Sequence, residues 1–268
     1  MMCPRHVTAW LHLSSLIRRM KQHDLTIGLL SATLALQRHN AAALELRALT
    51  YIDLGRLEEA MLDLQNAIRI EPSNAHLMVN CGSLLQQMGN IAGALSCFKK
   101  AIDLDPKTYI AHFNAGNLYF YQRFWEKALQ CYDTALHLCP SDAAILLNRA
   151  VLRALMLDTT ASLRDFSAAA AIAPQTLAIY FNRAILYEAI GRTDLAEQDY
   201  NTLLALNQGD AQAYLQRALL YVFFSFRFST EHISPASDSI GFTRLGRQGN
   251  RMDDAMQDMA RGIVLTST

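Results

Sequence analysis

The sequence predicts an all-α protein built as an array of antiparallel helix pairs, because one pattern recurs every 34 residues along most of the chain. Four of the six prolines follow that spacing: Pro72, Pro106, Pro140 and Pro174. Small residues follow it at Ala48, Gly82, Gly116, Ala150, Ala184 and Ala218. Large apolar residues form a third series at Leu64, Phe98, Tyr132, Phe166 and Tyr200. Several series in one phase indicate a repeated structural unit, which we call a repeat.

Each repeat is predicted to form two amphipathic helices joined by a short turn. A glycine often ends the first helix, because glycine enters the left-handed conformation of a helix C-terminus at low cost (Gly55, Gly89 and Gly191). The proline near the end of the repeat prevents the second helix from continuing. The small residue of the first helix faces an alanine or serine of the second, which lets the helices approach closely. One pair cannot bury its own apolar face, so we expect neighbouring pairs to stack into a continuous core.

The period of 34 residues and the pattern of small, large and proline positions resemble the tetratricopeptide repeat (TPR) family. The resemblance implies a right-handed TPR superhelix, an α-solenoid whose first helices line the concave face. It also implies binding to other proteins. The sequence contains no lipase, zinc-protease, P-loop or dinucleotide-binding motif. We therefore expect a chain that is not an enzyme and uses no cofactor.

The repeat phase divides the chain into a degenerate first repeat, five regular repeats and an interrupted last one. The first occupies 7–40, and the regular repeats follow without a gap at 41–74, 75–108, 109–142, 143–176 and 177–210. The last repeat, 211–268, loses the pattern at about 225–249 and regains it at Arg251. We interpret this interruption as a flexible insertion, either a binding loop or a splice or gene-model difference. Because the array ends without a polar capping helix, we expect an isoform or a segment of a longer array, or an array that pairs through its ends.

The composition argues against nucleic acid, membranes and metal ions as partners. The formal net charge is zero and the sequence pI is about 7.1, so there is no basic footprint for nucleic acid. No apolar run reaches the roughly 18 residues of a membrane span. The chain has no CxxC pair, so a metal site is not expected. We predict structural thiols in a reducing, cytoplasmic compartment at all five cysteines: Cys3, Cys81, Cys97, Cys131 and Cys139.

A first correlation between the repeats predicts interhelical ion pairs. Repeats with arginine at the seventh position carry aspartate at the twenty-third, and repeats without that arginine lack the aspartate. These two positions face each other across the helix pair, and we call them the interhelical pair positions. The predicted pairs are Arg47–Asp63, Arg149–Asp165, Arg183–Asp199 and Arg217–Asp258. Of the repeats from the second onward, the other two hold Cys81 with Cys97, and Ala115 with Cys131.

A second correlation predicts a binding surface on the first helices. The sixth position holds a carboxamide in five consecutive repeats, and we call this set the carboxamide row: Asn80, Asn114, Asn148, Asn182 and Gln216. A carboxamide offers two donors and an acceptor, so such a row suits the backbone of an extended peptide. It resembles the asparagine array in the TPR arm of O-linked N-acetylglucosamine transferase. The alternative is that these side chains join adjacent first helices by hydrogen bonds.

Aromatic side chains near the carboxamide row are candidates for recognising partner side chains. Because aromatic residues anchor interfaces, we predict partner contacts at Phe113, Phe120, Tyr121 and Phe181. The alternative is that these rings pack between neighbouring helices. TPR co-chaperones grip a partner's C-terminal carboxylate with first-helix lysine and arginine, whereas the corresponding positions here include His76 and Ile110. Chaperone binding through a carboxylate clamp is therefore not expected.

The predicted function is a non-enzymatic scaffold or adaptor that binds extended peptide segments of other proteins in the concave groove. The resemblance extends to TPR-only proteins of ciliary and transport assemblies, which is an analogy of fold alone. The alternative is the substrate-recognition arm of an enzyme complex whose catalytic part lies on another chain or in a missing region.

Overall fold

The computed structural model describes residues 5–220, in which the chain forms α-helices and no strand. In chain order the helices are α1 (Arg5–Arg19), α2 (His23–Leu36), α3 (Ala41–Asp53), α4 (Leu57–Ile70), α5 (Ala75–Gln87), α6 (Ile91–Leu104), α7 (Tyr109–Tyr121), α8 (Trp125–Leu138), α9 (Ala143–Leu155), α10 (Thr159–Ile172), α11 (Leu177–Ala189) and α12 (Thr193–Leu206). A further helical stretch covers 211–220. The predicted insertion at about 225–249 lies outside the described residues. The predicted all-α fold class is confirmed.

The chain divides into two compact units, Met1–Pro140 and Ser141–Thr268. In the N-terminal unit, α1 packs against α2, α3 against α4, α5 against α6 and α7 against α8. Each of α2, α4 and α6 also packs against the next first helix, and neighbouring first helices touch at α1–α3 and α5–α7. In the C-terminal unit, α9 packs against α10, α10 against α11 and α11 against α12. Consecutive helix pairs therefore stack within each unit, as the repeat pattern predicts.

Side-chain caps fix where several first helices begin. Oδ1 of Asn40 accepts a hydrogen bond of 2.9 Å from the backbone N–H of Ala43, at the start of α3. Asp142 caps α9 in the same way and accepts a bond of 2.8 Å from the backbone N–H of Ala144. Such a cap contributes about 0.5–2 kcal/mol. The repeats thus keep their phase through caps on first helices as well as through prolines after second helices.

In each of the six helix pairs from α1–α2 to α11–α12, the turn between the two helices contains one residue in the left-handed backbone conformation. This residue is the fifteenth of its repeat. Three repeats place glycine there, with φ of 73°, 78° and 73°: Gly55, Gly89 and Gly191. The other three place Lys21 (φ 60°), Arg123 (φ 62°) and Leu157 (φ 64°). This conformation costs a residue with a side chain about 1–2 kcal/mol. Helix packing therefore sets the turn geometry even where glycine is missing.

Close approach of the two helices depends on a small residue facing a large one. A Cβ added to Gly82 would lie 2.6 Å from the ring of Phe98. A Cβ added to Gly116 would lie 2.8 Å from the ring of Tyr132. Both rings are buried at these contacts. The small and large positions of the repeat therefore mark the line along which the helices of a pair meet.

Candidate functional site

The structure brings together the arginine and the aspartate at the interhelical pair positions of three repeats. Arg47 donates to both carboxylate oxygens of Asp63, at 2.7 and 2.8 Å. The same two-bond geometry, with distances of 2.7 and 2.8 Å, occurs in Arg149–Asp165 and Arg183–Asp199. All three aspartates are buried, and their arginines are partly exposed. Asp258, the expected partner of Arg217, lies outside the described residues.

Arg47, Arg183 and Arg217 also contact the preceding repeat, which was not predicted from the sequence. Nη1 of Arg47 donates to Oγ of Ser31 in α2 at 3.1 Å. The equivalent contacts are Arg183 with Ser167, at 3.4 Å, and Arg217 with Asn201. Each acceptor is the twenty-fifth residue of the preceding repeat. The sequence signal for this contact is a small polar residue at that position. Because the arginine also bonds this residue, it links two repeats as well as two helices.

Asp165 accepts hydrogen bonds from a second arginine. Nη1 of Arg153, one turn beyond Arg149 in α9, donates to Oδ2 of Asp165 at 2.8 Å. Asp165 is only 5% exposed. A buried carboxylate needs close cationic partners to compensate for its lost hydration, and Asp165 has two of them.

In the N-terminal unit, two members of the carboxamide row bind the preceding first helix. Nδ2 of Asn80 in α5 donates to Oε1 of Glu45 in α3 at 2.7 Å. Burial raises the pKa of Glu45, and the bond from Asn80 opposes that shift. Nδ2 of Asn114 in α7 lies 3.5 Å from Oγ of Ser83 in α5. These contacts agree with the alternative in which the asparagines join adjacent first helices.

Both asparagines use the amide nitrogen in these bonds and keep the carboxamide oxygen for another partner. Within residues 5–220, Oδ1 of Asn80 and Oδ1 of Asn114 accept no hydrogen bond. Both side chains are partly exposed. Such an oxygen is an acceptor for a backbone N–H. The nitrogens therefore hold the neighbouring helix, and the oxygens keep their capacity to accept.

In the C-terminal unit, the carboxamide row makes different contacts. Nδ2 of Asn182 donates to the backbone oxygen of Ala178, one turn earlier in α11, at 2.7 Å. Oδ1 of Asn182 accepts no hydrogen bond from the described part of the chain. Asn148 in α9 and Gln216 in the stretch 211–220 are partly exposed. Here the amide nitrogen of Asn182 holds its own helix and not a neighbour.

Two of the aromatic candidates pack between the helices of their own pair. The ring centroid of Phe113 in α7 lies 6.0 Å from that of Tyr132 in α8. Phe181 in α11 lies 6.4 Å from Tyr200 in α12. Both phenylalanines keep part of their surface exposed, whereas Tyr132 and Tyr200 are buried. This arrangement agrees with the alternative in which the rings pack between neighbouring helices.

A cluster of aromatic rings lies at the turn between α7 and α8, and only Phe120 and Tyr121 of it were predicted from the sequence. Phe120 lies 5.8 Å from Tyr121 and 5.5 Å from Trp125, measured between ring centroids. Tyr121 is 76% exposed and Phe124 is 50% exposed. Nζ of Lys127 lies 5.3 Å from the centre of the Phe124 ring, within cation–π range. The available sequence signal was the density of aromatic residues in 119–125.

The interhelical pair positions of the repeat 75–108 hold two thiols instead of an ion pair. Sγ of Cys97 in α6 lies 3.8 Å from Sγ of Cys81 in α5. Cys81 is buried, and Cys97, Cys131 and Cys139 are partly buried. Cys3 lies outside the described residues. No group of three or more His, Cys, Asp or Glu side chains within 5–220 is arranged to hold a metal ion.

The helix pairs and their interhelical contacts define a helical repeat protein. Models of the "TPR repeat" match residues 48–89 and 82–123, and models of the "Tetratricopeptide repeat" match 109–142 and 177–210. These stretches therefore match the tetratricopeptide repeat family, which the sequence pattern resembles. No curated protein sequence matches the chain. No helix in the described part is both long enough and apolar enough to cross a membrane.

Solved structures with this fold share little sequence with the chain. PilF of Pseudomonas aeruginosa has a TM-score of 0.70 and 16% identity, over 82% of this chain and 97% of that one. A chain of the APC/C hetero-tetramer Cut9–Hcn1 has a TM-score of 0.68 and 15% identity, over 77% of this chain and only 41% of that one. YrrB, described as a TPR protein with an unusual peptide-binding site, has a TM-score of 0.56 and 16% identity, over 75% and 91%. At these identities the likeness concerns the fold alone.

Proposed function

We propose that this chain is a non-enzymatic scaffold that binds an extended segment of a partner protein along its first helices. The TPR fold is that of protein-interaction scaffolds, and the matching family models describe repeats and no catalytic family. The observation that carries the finer proposal is the set of open carboxamide oxygens on α5, α7 and α11. Within residues 5–220, the Oδ1 atoms of Asn80, Asn114 and Asn182 accept no hydrogen bond.

The spacing of the carboxamide row suits a peptide in the polyproline II conformation. Packed helices lie about 8–10 Å apart, and α5 contacts α7 in the N-terminal unit. Polyproline II rises about 3.1 Å per residue with three residues per turn. Asn80 and Asn114 would therefore meet backbone N–H groups about three residues apart, on the same side of the peptide. A β-strand would present opposite sides at that spacing, because its side-chain period is about two residues.

Aromatic side chains are proposed to supply side-chain preference beside these backbone contacts. Tyr121 offers the most exposed ring of the four candidates and lies at the end of α7, next to Phe120. Phe113 and Phe181 pack against their own second helices but keep an exposed part. In this proposal the exposed edge of Phe113 contacts a partner in the N-terminal unit. Phe181, Asn148 and Gln216 make contacts of the same kind in the C-terminal unit.

The setting that we propose for this activity is the cytoplasm, in a ciliary or transport assembly. The formal net charge of zero gives no general attraction to nucleic acid. YrrB, which has a similar fold, is described as having a peptide-binding site. Both observations favour a protein over nucleic acid as the partner, and neither identifies that protein.

An affinity capture with mass spectrometry tests the proposal, with the wild-type chain beside the variant Asn80→Ala/Asn114→Ala. We expect the captured partners to be lost from the variant, because each side chain would contribute a hydrogen bond to the partner's backbone. The matched control is Asn66→Ala, which removes a partly exposed asparagine from the second helix α4. Circular dichroism and thermal unfolding of all three proteins check that the fold is retained.

The two variants separate the possible results. Loss of partners from Asn80→Ala/Asn114→Ala, with retention in Asn66→Ala and an intact fold in both, supports binding along the first helices. Retention of the same partners in Asn80→Ala/Asn114→Ala would contradict the proposal, because the asparagines would then serve only to join helices. Loss in Asn66→Ala alone would place the binding surface on the second helices.

A further inference from the structure

Two thiols face each other at positions where three other repeats hold an ion pair. Sγ of Cys81 and Sγ of Cys97 lie 3.8 Å apart, across α5 and α6. In the repeats 41–74, 143–176 and 177–210 the same positions hold an arginine and an aspartate in direct contact. The repeat backbone therefore places these two side chains in contact, and in the repeat 75–108 both side chains are thiols.

The two helices are in close side-chain contact beside the thiols. Gly82 follows Cys81, Phe98 follows Cys97, and a Cβ added to Gly82 would lie 2.6 Å from the Phe98 ring. The helices thus approach closely one residue away from the thiols. Disulfide formation needs the two sulfur atoms to come closer by about 1.8 Å, from 3.8 Å to bonding distance, and side-chain rotation can supply part of that movement.

The two thiols differ in access and in acidity. Cys81 is buried, whereas Cys97 is partly exposed on α6. The hydrogen bond with Cys81 lowers the pKa of Cys97 to about 7 against the opposing effect of burial, and the charge of Lys100 adds to the lowering. By contrast, the hydrogen bond with Cys97 and burial raise the pKa of Cys81. Because the thiolate is the reactive form, Cys97 is suited to react first and Cys81 to react second.

We propose that Cys81 and Cys97 form a reversible disulfide that cross-links α5 to α6 when the protein meets a hydroperoxide. The Cys97 thiolate attacks the peroxide, so that an S–O bond forms, the O–O bond breaks, and the leaving oxygen takes a proton to become water or an alcohol. The sulfur of Cys81 then attacks the Cys97 sulfenic acid. An S–S bond forms, the S–O bond breaks, and the departing hydroxide takes the Cys81 proton as water. The two sulfurs together lose two electrons, which the peroxide accepts.

A small-molecule dithiol or glutathione reverses the cross-link by thiol–disulfide exchange. The cross-link closes a loop between residues 16 apart in sequence, and such a closure restricts the unfolded chain. The oxidised repeat 75–108 should therefore unfold at a higher temperature than the reduced one. The inference depends on the contact between the two thiols and not on the proposed peptide binding.

Oxidation of the full chain with hydrogen peroxide, after removal of reductant, tests the inference. We expect the folded chain to lose two of its five thiols, and peptide mapping to join the peptides that contain Cys81 and Cys97. Dithiothreitol should restore both thiols. Oxidation of the denatured chain is the control, and there the specific pairing should give way to a mixture of pairings.

Single variants identify the order of reaction. In Cys81→Ser, oxidation should stop at a sulfenic acid on Cys97, which dimedone traps. In Cys97→Ser, the thiol of Cys81 should remain reduced. The matched controls Cys131→Ser and Cys139→Ser should still form the cross-link. The inference is overturned if the folded wild type loses no thiols, if the mapped disulfide joins Cys131 or Cys139 instead, or if Cys131→Ser abolishes the pairing.

Discussion

The repeats 143–176 and 75–108 place different chemistry on the same backbone positions. In the first, Arg149 and Asp165 form a two-bond ion pair at 2.7 and 2.8 Å. In the second, Cys81 and Cys97 bring their sulfur atoms to 3.8 Å. The comparison shows that the helix pair decides which two side chains meet, and that the side chains decide what the contact does. One repeat has a fixed charged contact, and the other has a contact that oxidation can change.

Removal of the buried carboxylate should have the largest effect. Asp165→Ala removes the buried carboxylate that accepts hydrogen bonds from both Arg149 and Arg153, so we expect the free energy of unfolding to fall by about 3 kcal/mol. Thermal and urea unfolding measure this change. The control Glu59→Ala breaks the exposed contact with Arg56 and should leave the unfolding midpoint unchanged. A thermal shift under about one degree for Asp165→Ala would show that the buried contact does not stabilise the repeat.

A methyl group added where the helices meet should have the next largest effect. Gly82→Ala places a Cβ 2.6 Å from the Phe98 ring, and overpacking of this kind costs about 1–3 kcal/mol. Gly28→Ala is the matched control, because no atom lies within 4 Å of a Cβ added in α2. The control should be neutral or stabilising by up to about 1 kcal/mol. Equal destabilisation of the two variants in urea would refute the close-packing explanation.

Exchange of the thiol pair for the ion pair tests the comparison directly. Cys81→Arg and Cys97→Asp should each destabilise the repeat 75–108, because each alone introduces a charge without its partner. Together they should destabilise less than the sum, with a favourable coupling of about 0.5–3 kcal/mol in a double-mutant cycle. Additive effects would show that the backbone of this repeat does not bring the two side chains together in the way that it does in 143–176.

Substitutions in the turns should have the smallest effect and opposite signs in different repeats. Leu157 has φ of 64° and is 87% exposed, so Leu157→Gly should raise the free energy of unfolding by about 1 kcal/mol. Gly55→Ala should lower it by a similar amount, because Gly55 has φ of 73°. Destabilisation by Leu157→Gly in the urea midpoint would mean that this leucine stabilises the turn by a contact that outweighs its backbone strain.

Much of the fold could be predicted because equivalent positions can be compared between the repeats. The spacing of the prolines and small residues gave the helix pairs, and the joint change of arginine and aspartate pointed to residues that the structure places in contact. The same comparison did not reveal Ser31 as a second acceptor for Arg47. That contact crosses from one repeat to the next, and its geometry depends on how closely α2 and α3 pack.

The candidate site was harder to predict, because its chemistry depends on single atoms. The sequence shows a carboxamide at Asn80 but not that its nitrogen bonds Glu45 while its oxygen accepts no bond within residues 5–220. It shows an aromatic residue at Phe113 but not that the ring lies against Tyr132. Leu157 also gave no sign of a left-handed conformation, since glycine is the usual residue there. Side-chain torsions and helix packing decide each of these points.

The central claim is that carboxamide oxygens of the first helices hold a partner's backbone. The most direct test measures the affinity of a labelled peptide from a captured partner by fluorescence anisotropy, with its amide N–H groups N-methylated one at a time. We expect methylation at sites about three residues apart to weaken binding about tenfold. The site that contacts Asn114 should show no further loss in Asn114→Ala. Binding that is indifferent to N-methylation at every position would contradict the claim.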